Sequence, residues 1–156
     1  MSEEFRKRWL DGNSGCGYPI AFVKVNDDTL PTEAAPGLTF RPSAQARPIW
    51  ETWNLDPGWV SKERDRLSRY LEFGSDGAGN PICLERDRGS VWLLDHEDDF
   101  SAQFVNTSVT QLAESLLAYL GERNADVFRA AIQGIDSAAM ADDAFWAFEA
   151  NVIGAE

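Results

Sequence analysis

Between Tyr70 and Leu120 the chain alternates short apolar runs with clusters of Gly, Asp and Asn, and that rhythm admits few folds. The runs are too short for packed helices and rich in β-branched and aromatic residues, as in an antiparallel meander. Strands are expected at Tyr70 to Phe73, Pro81 to Glu85, Val91 to Leu94 and, briefly, Phe104-Val105. The links are a glycine turn from Gly74 to Asn80, a charged hairpin loop from Arg86 to Gly89, and the acidic segment Asp95-His96-Glu97-Asp98-Asp99. Gly74, Gly77 and Gly79 are expected to supply positive backbone angles and close approach. Ile82 and Leu84 alternate with Cys83, so the thiol belongs to the opposite face or to a second apolar layer.

Helices bracket the meander. Asp56 as N-cap and Pro57 at the first helical position predict a helix to about Arg69, with Val60, Leu67 and Tyr70 near one face. Ser108-Val-Thr-Gln111 is a capping box opening a helix whose stripe is Val109, Leu112, Ala113, Leu116, Leu117 and Leu120, with Gly121 as its stop. Asn124 caps a further helix from Ala125 to Ile132, and Met140 to Val152 predicts a last one. Phe145, Trp146 and Phe148 make that last helix unusually aromatic, either finishing the core or facing another chain, with the core preferred. Ahead of the meander, residues 2–10 suit a short amphipathic helix and Tyr18 to Val25 a strand. Five of seven prolines lie between Leu30 and Pro57, where Leu38 to Phe40 is the best strand candidate. Trp50, Trp53 and Trp59 are expected to pin this segment to the core. The fold class is α+β, one domain over 1–156: an antiparallel sheet packed by helices, its core about 18–120, with 121–156 a helical C-terminal extension.

At 156 residues the chain buries enough surface to fold without staples. Cys16 and Cys83 show no metal-ligand spacing, and no signal-like or membrane-spanning run appears, so the expected compartment is a reducing cytoplasm. The net charge of -12 is lopsided: 10 basic face 11 acidic residues up to Ser75, against 4 and 15 from Asp76 onward. Such a field disfavours nucleic acid and anionic membranes as partners and speeds encounter with basic proteins.

Motifs for catalysis are missing. Neither glycine cluster leads from a strand into a helix N-terminus, so neither is a phosphate loop. The single His96 has no evident nucleophile to serve. Four carboxylates around one histidine invite a metal, yet calcium-loop spacing and a second histidine are both lacking, and a solvated loop with His96 pairing locally is preferred.

The ordered series is a glycine turn at Gly74-Ser-Asp-Gly-Ala-Gly-Asn, a strand through Pro81-Ile-Cys-Leu, Val91-Trp-Leu-Leu-Asp-His-Glu, Phe104-Val-Asn-Thr-Ser and a leucine-rich helix. It resembles the SUKH superfamily, which contains immunity proteins of bacterial polymorphic toxin systems and relatives of a fungal cell-wall synthesis regulator. The resemblance covers about residues 60–120. It implies an antiparallel sheet with helices, no catalysis, and binding of a cognate protein toxin, often a nuclease or another cytoplasm-acting effector; no cofactor is expected, and the charge adds that the toxin is basic. It gives Gly74, Asp76, Gly77, Gly79, Asn106 and Ser108 turn and cap roles. The acidic residues Asp76, Asp95, Glu97, Asp98 and Asp99, with Trp92, are the candidate partner-binding set. Two other readings stay open: a metal-dependent or ligand-binding domain using Asp76, Asp95, His96, Glu97 and Asp99, and an intracellular scaffold.

Overall fold

The computed structural model describes residues 38–40, 46–121 and 124–155. The expectations for residues 2–10, the loop at 11–15, Cys16 and the strand at 18–25 lie outside them. The elements are β1 (Thr39–Phe40), β2 (Arg47–Pro48), α1 (Ile49–Thr52), α2 (Pro57–Leu67), β3 (Tyr70–Ser75), β4 (Pro81–Glu85), β5 (Val91–Asp95), β6 (Ser101–Asn106), α3 (Val109–Gly121), α4 (Ala125–Ile135) and α5 (Phe145–Ala155), with a 3₁₀ turn at Ser137–Met140.

The sheet is antiparallel throughout, in the order β1-β3-β4-β5-β6, with β2 sharing the outer edge of β3 with β1. The meander is longer than its apolar runs suggest. β3 continues to Ser75 by bulging at Phe73, so that Gly74 pairs with Ile82. β6 begins at Ser101, because the polar residues Ser101 to Gln103 pair with the end of β5. Exposed edge positions carry no apolar signature, which is why composition shortened this strand.

Helices cover both faces. On one, Phe73, Ile82, Val91, Leu93 and Val105 pack against Leu112 and Leu116 of α3, Phe128 and Ile132 of α4, and Trp146 and Ile153 of α5. The helices after residue 121 therefore close the same core as the sheet. The last of them starts later than expected: Met140 ends the 3₁₀ turn, and helical bonding resumes with the Phe148 amide donating to the Ala144 carbonyl. On the other face Ile49, Leu67, Cys83, Leu94 and Phe100 form a smaller cluster, and Trp50, Trp53 and Trp59 pack on it. The Cys83 thiol is buried in this second layer. Trp50 and Trp53 pin the end of the proline-rich segment, residues 46–57, through α1, a helical turn that the prolines concealed, and Trp59 joins them from α2; residues 30–37 and 41–45 lie outside the described residues.

The helix starts are capped as the sequence indicates. Asp56 Oδ2 accepts from the Trp59 amide at 2.8 Å, and Asn124 Oδ1 accepts from the Asp126 and Val127 amides at 3.0 Å each. Ser108 Oγ accepts from the Gln111 amide at 3.2 Å and donates to Gln111 Oε1 at 2.9 Å. The Gln111 amide group donates in turn to the Ile135 carbonyl at 3.1 Å, tying α3 to the end of α4.

Beneath α3, α4 and α5 lies one buried polar knot. The Asn106 amide donates to Ser115 Oγ and to Asp136 Oδ2, each at 3.1 Å, and its oxygen accepts from Trp146 Nε1 at 2.8 Å. Asp136 also accepts from the Thr107 amide at 2.7 Å and the Thr107 hydroxyl at 2.8 Å. Asn106 heads an Asn-Thr-Ser sequon, yet it is fully buried and hydrogen-bonded, so in the folded chain it fixes helices rather than bearing a glycan.

Candidate functional site

Alternating strand direction brings the β3–β4 and β5–β6 turns to one end of the sheet, and with them every acidic candidate. Asn80 joins the two turns. Its side-chain oxygen accepts from the His96 amide at 3.1 Å and meets His96 Nδ1. The imidazole also lies 5.4 Å from the Trp53 ring, so local pairing fixes this histidine.

The carboxylates look alike in sequence but are used differently. Asp76 is consumed by its own turn: it accepts from the Ala78 amide at 3.0 Å, the Asn80 amide at 2.8 Å and Asn80 Nδ2 at 3.0 Å. Of Gly74, Gly77 and Gly79, only Gly79 takes a positive φ, at 86°. Asp95 accepts from the Glu97 amide at 2.9 Å, and Asp98 accepts from the Ser101 hydroxyl at 2.8 Å. Asp99 and Phe100 both turn left-handed, with φ of 48° and 57°. Their carbonyls receive Arg66 Nη2 and Nη1 at 2.8 and 2.9 Å, so α2 braces this unusual turn through its backbone. Among the described residues, the Glu97 and Asp99 side chains make no hydrogen bond or ion pair, and both residues are exposed. Two unspent negative charges thus stand on a stiffened turn.

Glu149 of α5 was not singled out by sequence reasoning. It is the one charged residue of an otherwise uncharged helix, which was the available signal. Its carboxyl is pushed above the ordinary value of 4.5, first by burial and then by the negative Asp76. The acidic end therefore extends onto the helical layer.

Trp92 sits elsewhere. Its register partner is Cys83, so it occupies the face covered by α1 and α2, in edge contact with Tyr70 at 6.3 Å and Phe104 at 5.3 Å. Its Nε1 donates to Ser90 Oγ at 2.8 Å, and that hydroxyl donates to Glu85 Oε2 at 2.6 Å. Burial, then Glu85, pushes the Tyr70 phenol upward. Trp92 is thus separate from the acidic end that the sequence reading grouped with it.

Among the described residues, no three His, Cys, Asp or Glu side chains come together as metal ligands. No helix among them is long and apolar enough to cross a membrane. Comparison with protein families matches residues 27–150 to a model described as SUKH-4 immunity protein. Comparison with curated proteins and with solved structures finds no match.

Proposed function

Because the chain belongs to the SUKH-4 immunity protein family, we propose that it binds a cognate protein toxin acting in the cytoplasm of the producing cell and neutralises it without catalysis. The toxin surface it meets is basic. The observation that carries this choice of partner is the pair of exposed, unspent carboxylates, Glu97 and Asp99, on a turn braced by Arg66. They sit in a chain of net charge -12 whose excess lies after Ser75.

Such an arrangement gathers encounters with a basic surface and orients them, an effect expressed in the association rate and weakened by salt. Asp76, Asp95 and Asp98 add to the field while holding the turns. A nuclease is a suitable toxin class, since its own substrate-binding surface is positive.

The test is co-expression with the product of the reading frame adjacent to the gene. Relief of toxicity and co-purification support the reading; the absence of both overturns it. Within a confirmed pair, the double change Glu97→Gln with Asp99→Asn is expected to slow association several-fold at low salt, with the difference fading as salt rises. Its stability should stay within about 0.5 kcal/mol of the parent. Asp76→Ala should instead cost about 1–2 kcal/mol in unfolding, because three donors lose their acceptor.

A further inference from the structure

The outer surface of α5 is apolar where a solvated helix face would be polar. Phe148 is 63% exposed and Val152 42% exposed. Separated by four residues, they form one ridge along the helix. Ala147 and Asn151, about 100° around the helix from that ridge, line a groove of 480 Å³ between α4 and α5. Ala130, Met140 and Ala147 give it apolar lining, and Arg129, Asp142 and Asn151 polar lining. Glu149 lies on the ridge's other flank, beside Asp76. Arg129 is the one basic residue between Asn124 and Ala155. It is already engaged, with Nη2 donating to Asn151 Oδ1 at 2.7 Å and Nη1 to Asp126 Oδ1 at 3.3 Å. Asp142 lines the groove, Asp126 pairs with Arg129 beside it and Glu149 flanks the ridge, so carboxylates outnumber the one engaged guanidinium on this face.

Charge selects the occupant. A second copy would bring -12 against -12, and an anionic lipid surface would be repelled in the same way. A basic protein segment carrying an apolar side chain is complementary in both respects. We infer that the α4–α5 face is the anchoring surface for a basic segment of the neutralised toxin, with apolar side chains in the groove and over the Phe148–Val152 ridge and a lysine or arginine toward Glu149. This rests on the toxin-binding reading and divides the labour within it: the acidic turns speed arrival, and the α5 ridge sets residence time.

The test uses the full chain and the adjacent-frame product whose toxicity it relieves, with affinity and rates measured for Phe148→Asp and Ala130→Trp. The first removes the ridge and the second fills the groove; both positions are exposed, so both variants should melt with the parent. Each is expected to weaken binding tenfold or more, mainly through faster dissociation. Equal affinity of parent and both variants overturns the assignment while leaving the toxin reading intact. A parent that binds no adjacent-frame product overturns the toxin reading and this one together. A parent dimer in sedimentation that Phe148→Asp converts to monomer assigns the face to self-association and overturns the basic partner.

Discussion

Each face of the sheet buries a carboxylate, and the two are used in opposite ways. Under α3, α4 and α5, Asp136 is 5% exposed and collects donors from Asn106 and from both the backbone and side chain of Thr107. Under α1, Glu72 is 8% exposed, and its Oε2 receives the Thr52 hydroxyl at 2.7 Å and Trp53 Nε1 at 3.0 Å. Asp136 takes backbone and side-chain donors together at the junction of β6 and α4, whereas the Thr52 and Trp53 donors to Glu72 are side chains that fasten α1 to the sheet. The first is a hub, the second a pin. A buried carboxylate must be surrounded by donors to be tolerable, but which donors it holds decides what its removal strands.

The sharpest way to break this contrast is at the hub. Asp136→Ala strands the Asn106 amide and two Thr107 donors, and is expected to cost about 3 kcal/mol, read as a lower urea midpoint at unchanged slope. Asp136→Asn should recover part of that loss: its amide oxygen can keep the Asn106 side-chain and Thr107 backbone donors, and its NH₂ then faces the Thr107 hydroxyl, which can turn to accept. At the pin, Glu72→Ala is expected to cost about 2 kcal/mol, because the Thr52 hydroxyl and Trp53 Nε1 lose their acceptor. Equal losses for Asp136→Ala and Glu72→Ala would erase the distinction between hub and pin.

The same contrast marks what the sequence can tell. The meander was legible because its determinants are local: apolar alternation at Ile82 to Leu84, the glycine at position 79, and capping by Asp56, Ser108 and Asn124 within three residues of the amides they receive. The knot was not legible, because Asn106 finds Asp136 and Trp146 thirty and forty residues away; the resemblance offered only a turn or cap role for it. α1 was hidden by prolines, and the start of α5 was set by the 3₁₀ turn, whose bonding leaves little trace in composition. For the acidic end, sequence gave the charge and the neighbourhood. It could not divide Asp76, Asp95 and Asp98, which hold turns, from Glu97 and Asp99, which do not, because that division depends on backbone angles at Asp99 and Phe100. Phe148 and Val152 read as core by hydrophobicity, and only the packing of α5 shows which side of that helix stays outside.

Glu149 sharpens the comparison from its other limit: a partly buried carboxylate that receives no hydrogen bond from the described residues and lies beside another negative group. Its folded-state pKa is raised from 4.5, by burial and then by Asp76. Below about that ordinary value the carboxyl is protonated in both folded and unfolded chains, and its charge costs nothing. As pH rises, the unfolded chain releases the proton first; the native chain holds it, so stability falls until pH passes the raised native pKa. Glu149→Gln removes this loss. Urea unfolding of parent and variant across pH 4 to 7, a range chosen to span about 4.5 and the values above it, should give a difference in stability that is flat at the acid end. It should then grow in favour of the variant and level off towards neutrality. Introducing Asp76→Asn into the parent should narrow that window by removing the neighbouring charge, whatever it does to the β3–β4 turn itself. A pH-independent difference between parent and Glu149→Gln would mean that solvent already satisfies this carboxylate, and that on this molecule only full enclosure, as at Asp136 and Glu72, makes the supply of donors decisive.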